Sequence, residues 1–207
     1  MTKLEFLDGV VFGWMKRDLE RMRDEIQVKP NDAGNINFPL ALCTLAYVEY
    51  LGGFILGDKG DFTLNVGTYI NSCFLNPGEY PVDVLRDIFR NGVAHNYFPR
   101  GGISRDGERP AVYKIHSMGI ALDAQTLVND FFYSLNKFRR VLNETNFTVR
   151  MQQAENDLKT MQARYQNIFN NLPERIILPK IVTSTASDAS GPAGPMASTT
   201  TLDPNIH

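Results

Sequence analysis

The sequence predicts an all-α, up-and-down helical bundle with a small β-hairpin insert and a disordered C-terminal tail. Three observations lead there. Phe38 to Gly57 is a nearly unbroken apolar run of helix length, bounded by turn residues. Apolar residues recur every three or four positions in stretches on either side of it. Ala111 to His116 is short, rich in β-formers, and preceded by the turn pairs Gly101-Gly102 and Asp106-Gly107. This places a helical domain over 1–172, the insert at about 100–122, and the tail over 173–207.

Taken in order, Leu4 to Ile26 reads as the first helix, with Leu4, Leu7, Val11, Trp14, Leu19 and Met22 as its apolar stripe. Lys16 to Glu25 alternates in charge sign and forms a solvated face. Val28 to Asn37, with Pro30 and Gly34, is a loop. The second helix runs from about Phe38 to Leu56 and is apolar all round, as a central bundle helix is. Gly57 to Gly60 turns the chain, and Asp61 caps a third helix whose Leu64, Ile70 and Phe74 face inward. Asn76-Pro77-Gly78 ends it. A fourth helix starts near Tyr80, has Pro81 in its first turn, and stops before Pro99. In the insert, Ile103-Ser104-Arg105 pairs with Ala111 to His116 across Asp106-Gly107. A helix resumes near Asp123, with Leu127, Phe131, Leu135 and Phe138 on one face. The last helix spans about Thr148 to Asn171. Its seam of Ala154, Leu158, Met161, Tyr165 and Ile168 is long enough to cover a partner or the bundle. From Val182 the chain is Thr, Ser, Ala, Gly and Pro, which buries too little apolar surface to offset the entropy of ordering.

Composition excludes several classes. A net charge of −2 over 207 residues gives no global nucleic-acid footprint, so any such contact is local. Two cysteines, Cys43 and Cys73, both in apolar helical patterns, read as buried free thiols rather than a disulfide framework. The start MTKLEFLDGV carries acidic residues where a signal peptide is apolar, and the expectation is a cytoplasmic protein. Phe38 to Gly57 is long enough to span a bilayer. Glu49 near its middle, the Gly52-Gly53 pair and the lack of flanking basic clusters favour a buried helix and no membrane. Three scattered histidines without a Cys-x2-Cys pair give no metal site, and no phosphate-loop motif is present.

The chemistry concentrates at the end of the fourth helix, Leu85 to Pro99. At roughly 100° per residue, Arg86, Arg90, Val93 and Tyr97 share one side. His95 lies off that side in a regular helix, and Pro99 loosens the last turn enough to bring the imidazole toward the arginines. Gly92 weakens the helix between them, which suits close approach of another backbone or a phosphate. Between Arg86 and Lys114 there are six basic residues against three acidic, a local excess for phosphate. Glu49 is an available partner for Arg90 or Arg86 and could equally orient Arg90 within a site.

The run Arg90-x4-His95-x-Tyr97, with Asn91 after the arginine, resembles the R-x4-6-H signature of the HEPN superfamily. Its R-x4-H-x-Y form is that of HEPN toxins paired with nucleotidyltransferase antitoxins. The resemblance covers roughly Phe38 to Asn143, and the Arg100 to Leu122 insert resembles that of some uncharacterised bacterial HEPN-like proteins. It implies a metal-independent endoribonuclease, a toxin or anti-phage effector, that needs no cofactor and attacks RNA through its 2′-hydroxyl. His95 would transfer the proton, Arg90 would stabilise the phosphate, and Asn91 would position ribose or phosphate. Glu49 and Arg86 support them. Because one histidine cannot serve both sides of a phosphorus, the resemblance implies a homodimer with two copies of the motif facing each other. Tyr97 resembles the tyrosine that the partner antitoxin modifies. Two other readings stay open. One is a non-catalytic HEPN-like module that binds a nucleotide or a partner protein. The other is a structural helical protein assembling through its last helix. An arginine and a histidine on one helix also serve as core ion pair and helix cap.

Overall fold

The computed structural model describes residues 1–25, 37–91, 101–115 and 119–171. The expected loop after the first helix, the residues Val93, His95, Tyr97 and His116, and the expected tail lie outside the described residues. The chain divides into two units, Met1–Gln166 and Asn167–His207. Of the second, only 167–171 is described, within the last turn of helix Gln166–Phe169 and the two residues after it.

Most of the described chain is helical. Helix α1 covers 3–24 in three continuous pieces: α-helical Lys3–Glu5, a wide π-wound segment Phe6–Met15, and α-helical Lys16–Asp24. Thr2 opens it with a capping box, its hydroxyl accepting from the Glu5 amide while the Glu5 carboxylate accepts from the Thr2 amide. The π winding corrects the expected stripe. Hydrogen bonds of the i→i+5 type widen the turn, so the buried positions step by four: Leu7, Val11, Met15, Leu19, with Phe6 beside them. Leu4 and Trp14, which a regular helix would turn inward, are 63% and 60% exposed.

Helix α2, Asn37–Leu56, is the centre of the bundle and packs against α1, α3 (Phe62–Cys73), α5 (Ala124–Val141) and α6 (Glu144–Arg164). It is long and apolar enough to cross a membrane, and half of that apolar window is buried inside the protein. Its Gly52 lies backbone to backbone against α3, where a Cβ would sit 1.9 Å from the Asn65 carbonyl oxygen. No side chain fits there, which fixes how closely α2 and α3 cross. Asp61 caps α3 as expected, accepting from the Leu64 amide at 2.8 Å. Leu64 itself is half exposed. The inward face is Phe62, Val66, Tyr69, Ile70 and Cys73. Burying each of these large side chains is worth about 1.5–3 kcal/mol. Both described cysteines are free thiols. Cys73 is buried and burial pushes it up to about 12, so it stays protonated, whereas Cys43 is only half-buried.

A 3-10 turn, Pro77–Glu79, leads into helix α4 at 82–90, whose first turn is Val82–Val84 and whose remainder, Leu85–Arg90, is π-wound. The insert follows, and here the expected pairing fails. Strands β1 (Gly102–Ser104), β2 (Val112–Ile115) and β3 (Gly119–Asp123) form one sheet in the order β1-β3-β2. The hairpin is β2–β3, antiparallel, with Tyr113 opposite Ala121. Strand β1 runs parallel to β3 on its other edge. The cause is Asp123. Its carboxylate accepts from the Ser104 hydroxyl and the Asp106 and Gly107 amides, drawing the 104–107 turn onto β3 and away from β2. Gly101 and Gly102 permit this close approach, since a Cβ at 101 would lie 2.3 Å from the Ile120 carbonyl oxygen.

Asp123 also caps α5, which buries Leu127, Phe131, Leu135 and Phe138 as expected. Helix α6 starts earlier than Thr148 because Asn143 caps it, accepting from the Asn146 amide at 2.7 Å. Of its residues only Phe147 is buried. The expected seam does not cover the bundle: Leu158 and Met161 are each 49% exposed.

Candidate functional site

The described part of α4 delivers two arginines. Leu85 and Phe89 bury one face of the helix, which leaves Arg86 and Arg90 on a half-buried face above the start of α3. Arg86 is well satisfied. It donates to Asp87 Oδ1 at 2.7 Å and Oδ2 at 3.1 Å, and to Thr63 Oγ1 at 2.7 Å, with Asp83 at 3.1 Å. Arg90 is held more loosely. Its Nε lies 4.0 Å from Glu49 Oε2, its Nη1 donates to Asn91 Oδ1 at 3.3 Å, and its guanidinium lies 5.7 Å from the Phe62 ring centroid. Of the two partners the sequence offered for Glu49, the structure selects Arg90.

Glu49 projects from the middle of α2 and is partly buried. Burial pushes its carboxyl above the usual carboxylate range, the Arg90 charge pulls it back, and Asp61 adds to the rise. The group around the end of α4 is therefore Glu49, Asp61, Arg86, Arg90 and Asn91, with Thr63 beneath Arg86. An open groove of about 540 Å³, lined by Asp61, Thr63, Leu64, Gly67 and Thr68 among others, runs along α3 from there. Asn91 has its side-chain oxygen turned to Arg90, which leaves its amide as a donor. His95 and Tyr97 lie outside the described residues, so the structure brings together Arg90, Asn91 and Glu49, and sets Arg86 one turn away.

The local excess of positive charge does not form one surface. Arg109 belongs to a separate network with Glu79 and Asp130, and Arg105 donates to the Gln125 side chain and the Arg23 carbonyl oxygen. Sequence reasoning also missed Arg150. It falls on the same stripe of α6 as Phe147 and Ala154, and one arginine on an otherwise apolar stripe was the available signal. Among the described residues no group of three or more His, Cys, Asp or Glu is arranged to hold a metal ion.

No family model, curated protein or solved structure matches the chain. The likeness to HEPN proteins rests on Arg90, Asn91, His95 and Tyr97 and on the helices that carry them.

Proposed function

We propose that this chain is a metal-independent endoribonuclease of the HEPN type, acting as a homodimer in the cytoplasm, in the role of a toxin or anti-phage effector. The observation that carries the reading is Arg90. It ends a helix five residues before His95, oriented by Glu49 at 4.0 Å yet not locked into a close ion pair. A guanidinium held this way keeps N–H donors for phosphoryl oxygens.

In the proposed reaction, His95 takes the proton from a ribose 2′-hydroxyl. The 2′-oxygen attacks the adjacent phosphorus, and the bond to the 5′-oxygen of the next nucleotide breaks. The second protomer's copy of the histidine protonates that leaving oxygen. The products are a 2′,3′-cyclic phosphate and a 5′-hydroxyl. Arg90 stabilises charge on the non-bridging oxygens, and the Asn91 amide positions ribose or phosphate. Tyr97 is the position where an antitoxin partner would modify and silence the toxin. A second reading, assembly through the last helix, is favoured by the exposed Leu158 and Met161.

The test is RNA cleavage with chelator present, wild type against His95→Ala, alongside sedimentation at micromolar concentration. Cleavage by a dimeric wild type and its loss in the variant are expected. A strict monomer, or equal cleavage by both proteins, contradicts the reading.

A further inference from the structure

A second groove, of about 260 Å³, lies between α2, the turn after it, and α6. Arg150 forms one wall. Its Nε and Nη1 are buried and have no hydrogen-bond partner among the described residues. The guanidinium lies 6.0 Å from the Phe54 ring centroid, and a Cβ at Gly53 would come within 3.3 Å of Nε, so the helix is cut away where the arginine rests. A permanently charged group with buried, unpaired donors is costly unless an anion supplies the acceptors. Lys59 forms part of the rim. Its ion pair with Asp157, at 2.8 Å, is exposed on both sides and is therefore weak enough to exchange.

The remaining lining suits a phosphorylated ligand. Asn65 is 5% exposed, and its Nδ2 donates to the Lys59 carbonyl at 2.7 Å, which pins the turn. Its Oδ1 has no partner among the described residues, an acceptor for a hydroxyl on the ligand. Tyr50 adds a phenol. Glu49 is the acid on the opposite wall, and its charge is offset by Arg90 on its far side. Two cations, an orphaned acceptor and a phenol around one groove match a phosphate group carried on a hydroxylated molecule better than a simple carboxylate. We propose that this groove binds a phosphate group, with Arg150 as its main cation and Lys59 as the second. The source is either a free nucleotide or a phosphodiester of an RNA strand.

The inference does not rest on the nuclease reading. It is tested by calorimetric titration of the full chain with inorganic phosphate, adenosine monophosphate and a short oligouridylate. Proteins compared are wild type, Arg150→Gln, Lys59→Gln and His95→Ala, with circular dichroism to confirm folding. Binding by wild type is expected, weakened roughly tenfold or more in Arg150→Gln and severalfold in Lys59→Gln. Lys59 is an exposed side chain, so its variant remains informative even if Arg150→Gln does not fold. Stronger binding of the oligouridylate identifies a strand, and stronger binding of the monophosphate identifies a free nucleotide. Wild-type affinity in both groove variants, absence of binding to all three probes, or a loss in His95→Ala as large as in Arg150→Gln overturns the proposal.

Discussion

Two arginines in this molecule sit between carboxylates and are used differently. Arg109 donates to Glu79 Oε2 at 2.7 Å and pairs closely with Asp130, a residue 5% exposed. Tyr80 donates to the other Asp130 oxygen at 2.6 Å, and the Ala111 amide donates to Glu79. Burial, then the bond to Asp130, pushes the Tyr80 phenol far up, so it remains a donor. Every partner is spoken for, and the network ties the insert to α5 and the 3-10 turn. Arg90 has one carboxylate at 4.0 Å and an aromatic face, and nothing holds it tightly. The lesson is that a structural cation is recognised by saturation, and a cation available to a ligand by incomplete pairing.

That contrast breaks most clearly on paired substitutions. Arg90→Ala is expected to lower RNA cleavage roughly 10²–10³-fold, by loss of a preorganised phosphate donor. Thermal unfolding of the same variant should show a cost under about 1 kcal/mol, since only a long ion pair and a partly exposed ring contact are lost. Asp130→Ala should reverse the pattern. It strands Tyr80 and leaves Arg109 half-paired, and urea unfolding should report a loss of about 3 kcal/mol. If Arg90→Ala costs as much stability as Asp130→Ala, Arg90 is structural as well.

Asp123 extends the structural side of the comparison. Burial raises its carboxyl, but the Thr126 amide and hydroxyl, the Ser104 hydroxyl and the Asp106 amide outweigh that and hold it below the usual range. Its folded pKa is depressed. The stability it contributes is present above the ordinary carboxylate value and is lost as pH falls through the folded one. Asp123→Ala should cost about 2–3 kcal/mol at neutral pH in urea titrations, and less at acid pH. Glu49 has the opposite sign. Its carboxyl is raised by burial, so its contribution is full at low pH and declines as pH rises through the folded value. Glu49→Gln should therefore match or exceed wild type in melting temperature at pH 7, and lose that relative advantage in acid. The smallest effect is expected at the α6 seam. Leu158→Ala and Met161→Ala should each change stability by under about 0.5 kcal/mol, and any larger loss in a dimeric sample places that face at an interface.

How much of this was legible beforehand follows from range. The α2 run, the Asp61 cap and the α5 face are local patterns, and all three appear where the sequence puts them. Trp14 and Leu4 were misplaced because an apolar period assumes 3.6 residues per turn, and the π segment does not have it. Strand β3 was missed because Gly119 to Asp123 is short and Asp123 acts at two levels, as helix cap and as anchor for a turn 17 residues earlier. In the candidate site, Arg90 and its choice of Glu49 were legible, since a half-buried acid needs a cation. The Arg109 network and the Arg150 groove were not, because their partners lie on elements far apart in sequence.

The central claim is most directly tested on the products. An oligoribonucleotide and its all-deoxy counterpart are incubated with the wild-type dimer in excess chelator, and the fragments are weighed by mass spectrometry. The expected result is RNA cut to 2′,3′-cyclic phosphate and 5′-hydroxyl ends, with the DNA intact. Intact RNA, cleavage of the DNA strand, or cleavage that needs added metal would contradict it.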